Sequence, residues 1–217
     1  MGESTTEAKI FSIPSLTSES TLDQRQDWPS GTHDDEGLVE LADSGLLVLH
    51  SYRRAGLRGS VDRQYLRAEA VRRLVAAADS LPPGFGLAIF DAWRPLALQR
   101  ELFSTADLPP GAVAPPSENP RTPPPHLTGG TVDLTLTWQG TPLALGTEFD
   151  DFGPRAATRA FEETPGRVRG LRRMLYWSLA EQQFIVLDEE WWHFEFGTRL
   201  WSVISGNPVR YTAIDVD

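Results

Sequence analysis

The sequence predicts one mixed domain of strands and helices, on three observations: short apolar runs bounded by turn residues, apolar positions at helical spacing elsewhere, and a length of 217 residues that suits a single buried core. Residues 1–35 are rich in Ser, Thr, Asp and Glu without apolar periodicity and read as a loosely held arm, so the domain is expected over 36–217. Leu46–Leu49 is the first strand. From about Arg63 to Leu81, Leu66, Ala70, Leu74 and Ala77 mark an amphipathic helix that stops before Pro82-Pro83-Gly84. Gly86–Asp91 reads as a strand, followed by a tight junction at Arg94-Pro95 and a helical stretch to about Phe103. Eight prolines between Leu108 and Pro125 forbid a regular helix or central strand and predict a long extended loop that delivers His126. Val132–Thr137 alternates as a strand with Val132, Leu134 and Leu136 on one face and Asp133 on the other. Val168, Leu171, Leu175, Leu179 and Gln182 mark a further helix, and Phe184–Leu187 with Trp191–Phe196 reads as a closing hairpin.

Composition narrows the chemistry. With 20 Lys+Arg against 30 Asp+Glu the net charge is -10, which argues against nucleic acid as a partner. Lys9 is the sole lysine and no phosphate-cradling Gly-x-x-x-x-Gly-Lys run occurs, so ATP chemistry has no seat. The absence of cysteine excludes thiolate metal sites, thiol nucleophiles and disulfides, leaving His, Asp and Glu as ligands. The amino terminus lacks the basic start and apolar run of a secretion signal, and no apolar stretch approaches the roughly 20 residues of a membrane helix, so a cytoplasmic protein with no membrane association is expected.

Four histidines make the search for a metal site short. His126-Leu-Thr-Gly-Gly-Thr-Val-Asp133 and Glu190-Trp-Trp-His193 together offer two imidazoles, one carboxylate ligand and one spare carboxylate. A catalytic zinc takes three protein ligands and keeps one position open, a pattern that His126, Asp133 and His193 satisfy, with one ion per chain. Borderline imidazole and carboxylate donors favour zinc. Glu190 then remains as general base, provided that the strand starting near Trp191 leaves it in the preceding turn. Arg94 offers a fixed positive charge for a developing oxyanion. The plainer alternatives are a turn-capping Asp133, a solvated Glu190 and an Arg94 paired with Asp91; His33 and His50 have no partner motif and read as structural.

Taken together, Asp91-Ala-Trp-Arg94-Pro95, His126 to Asp133-Leu-Thr-Leu and Glu190-Trp-Trp-His193 resemble the VanX-type D-alanyl-D-alanine dipeptidases, in order and in separation, over about Leu46 to Trp201. The resemblance implies an α+β fold with a central, mainly antiparallel sheet and flanking helices, shared with lysostaphin-like and hedgehog-like zinc peptidases. It implies zinc ligands at His126, Asp133 and His193, a base at Glu190, transition-state stabilisation by Arg94, and Asp150 near the free ammonium of a small dipeptide substrate. The chain departs from the family pattern at Pro124 and Thr131, where Ser and a small residue are usual. It departs also near Tyr52 to Gly59, where Ser51, Gly56 and Leu57 align with an aromatic residue and an Asn-Phe pair of the pocket. The implied activity is hydrolysis of D-Ala-D-Ala or a close relative, in glycopeptide resistance or wall-peptide recycling. A peptidoglycan endopeptidase or carboxypeptidase and a zinc-binding domain without turnover are the alternatives, and homo-oligomerisation is left open.

Overall fold

The computed structural model describes residues 11–17, 36–105, 108, 112–119 and 122–216. Its centre is a six-stranded sheet of β2 (Leu47–Val48), β4 (Phe85–Asp91), β5 (Thr131–Trp138), β6 (Thr141–Pro142), β7 (Ile185–Val186) and β8 (His193–Glu195). The order is β2-β4-β5-β8-β7, with β6 paired to the far end of β5. Only β2 and β4 run parallel; the other pairs are antiparallel. A separate ribbon pairs β1 (Leu38–Glu40) with β3 (Tyr65–Arg67). The helices are α1 (Ser51–Arg54), α2 (Ala68–Ser80), α3 (Leu96–Phe103), α4 (Arg167–Ala180) and α5 (Arg199–Ser205). This is the α+β architecture expected from the sequence.

Alternation along β5 divides the sheet into two chemically different faces. Val132, Leu134 and Leu136 lie with Leu87, Ile89 and Phe194 in one core cluster, joined by Ala70, Leu74 and Ala77 of α2 and by Leu171, Leu175 and Leu179 of α4. These helical positions recur at three- and four-residue spacing, so each helix presents one apolar stripe to the sheet. The opposite face carries Asp133, cross-strand from His193 on β8 and from Asp91 on β4.

Asp91 reaches that face only because the ladder slips. Ile89 pairs with Leu134 while Asp91 pairs with Asp133, so Phe90 is an extra residue in β4. Without this bulge Asp91 would share the apolar face of Leu87 and Ile89, because side chains two apart in a regular strand point the same way.

Two elements differ from the sequence reading. The helix expected from about Arg63 begins at Ala68, because Tyr65–Arg67 pair with β1 and the Arg67 amide donates to Gly129 O at 2.8 Å. These tertiary backbone bonds outweigh the helical periodicity that Leu66 suggested. The closing hairpin is shorter than expected: β8 starts at His193, and Trp191 and Trp192 occupy the turn before it, both buried in the main core rather than on opposite faces of a strand.

Of the expected arm, residues 1–10 and 18–35, His33 among them, lie outside the described residues. Residues 11–17 dock against the domain. Ile13 is 2% exposed, Trp177 Nε1 of α4 donates to Phe11 O at 2.9 Å, and Arg159 Nε donates to Ile13 O at 3.3 Å. His50 has a left-handed backbone and precedes α1, and it is not part of the His126, Asp133 and His193 group found among the described residues.

The chain crosses from the turn carrying His126 into β5 through Gly129-Gly130. Gly129 is left-handed, with φ of 72°, and ends the 3-10 turn Pro125–Thr128. Gly130 is needed for proximity: a Cβ there would stand 2.4 Å from the Phe196 carbonyl oxygen and 2.8 Å from the Tyr211 ring. Gly130→Ala is therefore expected to destabilise by about 1–3 kcal/mol, as overpacking does, and to lower the melting temperature by several degrees; thermal unfolding of metal-free protein reads this directly.

Candidate functional site

His126, Asp133 and His193 arrive from three directions: a 3-10 turn, the middle strand and its neighbour β8. One ligand atom from each lies within 4.8 Å of the others, and all three residues are buried. His126 Nε2 stands 3.3 Å from Asp133 Oδ2, and His193 Nδ1 stands 3.1 Å from Asp133 Oδ1.

The far side of each imidazole fixes which nitrogen faces inward. His126 Nδ1 is 2.7 Å from the carbonyl oxygen of Ala92, which can only accept, so that nitrogen carries the proton and Nε2 presents a lone pair. His193 Nε2 is 2.9 Å from Glu195 Oε1, which leaves Nδ1 toward Asp133. Glu195 is itself held by the Thr198 hydroxyl, the cap of α5. Metal-ligating histidines are oriented by such outer hydrogen bonds. Despite its nearness to His193, the buried Oδ1 of Asp133 has no aligned hydrogen-bond donor. Two imidazole nitrogens and an under-satisfied carboxylate oxygen converging on one point fit a borderline divalent cation, with a coordination position to spare.

Around this group stand the other nominated residues. Glu190 precedes the Trp191-Trp192 turn, outside β8, and its Oε2 is 3.8 Å from His193 Nδ1. The turn resolves the facing conflict that a strand through Glu190 would create, since His193 N donates back to Glu190 O at 3.3 Å. Arg94 lies at the junction of β4 and α3. Its guanidinium donates to Asp91 Oδ2 at 2.8 Å, Gln99 Oε1 at 3.1 Å, Tyr52 OH at 3.3 Å and Asp133 Oδ2 at 3.5 Å. Four of its five N–H groups are so engaged, which leaves one hydrogen on Nη1. Arg94 does pair with Asp91, but as a buried pair inside the site rather than on the surface.

All six residues, Arg94, His126, Asp133, Asp150, Glu190 and His193, line one cavity of about 40 Å³. The rest of its wall is formed chiefly by Tyr52, Gln99, Ala112 to Ala114, Phe152 and Leu187. Neither Pro124 nor Thr131 is among the lining residues, so those two departures from the family pattern fall outside the cavity. Near α1 it is Tyr52 that lines the cavity, whereas Ser51, Gly56 and Leu57 do not. Tyr52, Gln99 and Glu195 lie outside the three motifs, and no local spacing singles them out.

Burial dominates the electrostatics. It would raise the Asp133 pKa, but the His126 and His193 imidazoles more than offset it and hold the carboxylate well below its ordinary range. Burial likewise opposes charge on Arg94, yet Tyr52, Asp91, Asp133 and Asp150 together raise its pKa and keep it fixed as a cation. Asp150 has no such compensation: burial and the Asp133 charge push it up to about 7, against a smaller opposing pull from Arg94. Its backbone is also left-handed, with φ of 62°, a conformation that costs energy outside glycine.

Metallopeptidases hydrolyse a peptide bond with a bound metal ion and a nearby base, and the His126, Asp133 and His193 group beside Glu190 suits that class. This chain is one of them. Residues 57–211 match the family model described as D-Ala-D-Ala dipeptidase, and the chain belongs to that family. A similar protein, named D-alanyl-D-alanine dipeptidase, comes from Synechocystis sp.; it is 28% identical over 192 residues, spanning 70% of this chain and 78% of the relative.

Two outcomes are expected at the metal group. Removing the Glu195 carboxylate frees the His193 ring, so Glu195→Ala should weaken metal binding by about 10–100-fold in a competition titration with a chelating dye. In metal-free protein burial lowers the His193 pKa, but the Asp133 and Glu195 carboxylates beside the ring outweigh it and raise the value well above 6.5. A metal ion must displace that proton. Affinity should therefore climb as pH rises toward the raised value and level off above it, with proton release visible by calorimetry in buffers of different ionisation enthalpy. For the metal-free fold the sign is opposite: the stabilisation from His193 is complete below about 6.5 and is lost as pH rises through the raised pKa.

Proposed function

We propose that the chain is a zinc-dependent dipeptidase that hydrolyses D-Ala-D-Ala or a closely related dipeptide. The observation that carries this reading is the convergence of His126, Asp133 and His193, the Glu190 carboxylate and the Arg94 cation on a single cavity. When bound, zinc supplies Lewis acidity and makes hydroxide available near neutral pH. Glu190, which is not one of the three ligand residues, takes the proton of the attacking water and passes it to the leaving amine. Arg94 points its remaining N–H at the oxygen that becomes negative, in a site where burial strengthens that interaction. Asp150 accepts the substrate's free ammonium. That cation arrives at a carboxylate made reluctant to ionise by burial, and it favours the charged form of the pair.

A dipeptidase has to close its site beyond both substrate termini, whereas a groove for endopeptidase action has to stay open past both sides of the cleaved bond. Destruction of D-Ala-D-Ala removes a cell-wall building block, which serves either wall-peptide recycling or protection from glycopeptides that grip that terminus.

The deciding assay measures amine release from D-Ala-D-Ala, L-Ala-L-Ala, the mixed dipeptides, N-acetyl-D-Ala-D-Ala and longer peptides, with zinc quantified in each sample. Selective cleavage of a free dipeptide is expected. In Glu190→Ala turnover should fall by about 10²–10⁴-fold while zinc is retained. Equal cleavage of acetylated or longer substrates would instead mark an endopeptidase or carboxypeptidase, and zinc binding without any cleavage would mark a binding domain.

A further inference from the structure

Gln99 sits in α3, 2% exposed, and hydrogen-bonds both the Arg94 guanidinium and the proline-rich loop. Its Oε1 accepts from Arg94 Nη1 at 3.1 Å and its Nε2 donates to the carbonyl oxygen of Ala114 at 2.6 Å. This orientation is forced: a guanidinium can only donate and a carbonyl can only accept, so the flipped amide would lose both bonds. Ala112, Val113 and Ala114 form one wall of the cavity. Val113 adds a second, apolar anchor by packing on the cluster of Tyr52, Leu98 and Leu102. Tyr52 in turn accepts from the other terminal nitrogen of Arg94.

The wall and the cation are thus tied twice, once through the Gln99 amide and once through Tyr52. Resting on the dipeptidase reading above, we infer that Gln99 is a positioning residue that couples the 112–114 wall to Arg94, so that substrate contact with the wall and presentation of the Arg94 N–H are set together. Gln99 does not itself reach the reacting atoms. It acts by filling one Arg94 hydrogen-bonding direction and holding the guanidinium plane, and a cation displaced by even 1 Å from a developing oxyanion forfeits much of its effect.

The test uses full-length, zinc-loaded protein and D-Ala-D-Ala. Gln99→Met keeps volume and removes both bonds. Its kcat should fall by about 10- to 100-fold and its KM should rise, with zinc content and melting temperature near those of the parent. In an Arg94→Lys background the same substitution should change kcat less than about twofold, because the group it positions is already lost. Hydrogen exchange over residues 112–119 should quicken in Gln99→Met whether or not substrate is turned over. Gln99→Glu separates the two arms: it keeps an acceptor for Arg94 but turns a repelling oxygen toward Ala114, so KM should rise by more than kcat falls. Parental kcat and KM in Gln99→Met, or a kcat loss that adds fully to that of Arg94→Lys, would overturn the inference. If Gln99→Met fails to fold, equal losses of kcat and KM in Gln99→Glu, or unchanged exchange at 112–119, would overturn it. Should the parent protein cleave no dipeptide, the functional reading fails on its own, and the exchange measurement alone decides whether Gln99 holds the wall.

Discussion

The Asp133 carboxylate is the charge that the rest of the site is arranged to satisfy. It lies in the middle strand of the sheet, buried, where an uncompensated anion would be costly, and it is surrounded by His126, His193 and Arg94. Each partner comes from a different element, so the compensation cannot be local. The turn Pro125–Thr128, the strand β8 and the β4–α3 junction all have to arrive before Asp133 is stable as an anion. This makes the buried charge cluster and the tertiary fold mutually dependent: the sheet register brings His193 opposite Asp133, and the carboxylate makes that register worth keeping.

The arrangement also separates tasks by layer. Asp91, Ala92 O and Glu195 touch the outer edges of Arg94, His126 and His193 and set their orientation. Atoms that face the cavity are then left with unspent hydrogen-bonding capacity. The Asp133 Oδ1 without an aligned donor is the visible result. Elsewhere in the core polar groups are paired densely: Arg172, for example, donates to the carbonyls of Leu145, Arg155 and Ala157 and thereby fastens the segment that bears Asp150 to α4.

Much of this was legible in the sequence because two kinds of signal are local. Ligand spacing announced His126, Asp133, Glu190 and His193, and all stand together in the cavity with Arg94 and Asp150. Period announced β5, α2 and α4, since each packs one apolar face on the main core, and an apolar run between turn residues announced β4. What stayed hidden is decided by contacts distant in sequence. β3 looked helical because its pairing with β1 is not encoded within its own three residues. The Trp191-Trp192 pair looked like strand because two large apolar residues fit either a sheet or a buried turn. Tyr52 and Gln99 belong to helices whose placement over the sheet has no short motif, and the slip in β4 is invisible to any count of alternation.

That slip has a consequence for how the fold tolerates change. Phe90, the extra residue, stacks on Phe149 with ring centroids 4.6 Å apart and meets Trp191 edge-on at 6.5 Å. Those two rings neighbour Asp150 and Glu190 in sequence, so one irregularity supports both carboxylate-bearing loops while turning Asp91 toward Arg94. A chain that lost this single residue would have a more regular ladder and a more ordinary strand, yet it would bury the Asp91 carboxylate among leucines and leave both loops without their aromatic brace. In this sheet the irregularity holds the loops in place, and straightening it would be the damage.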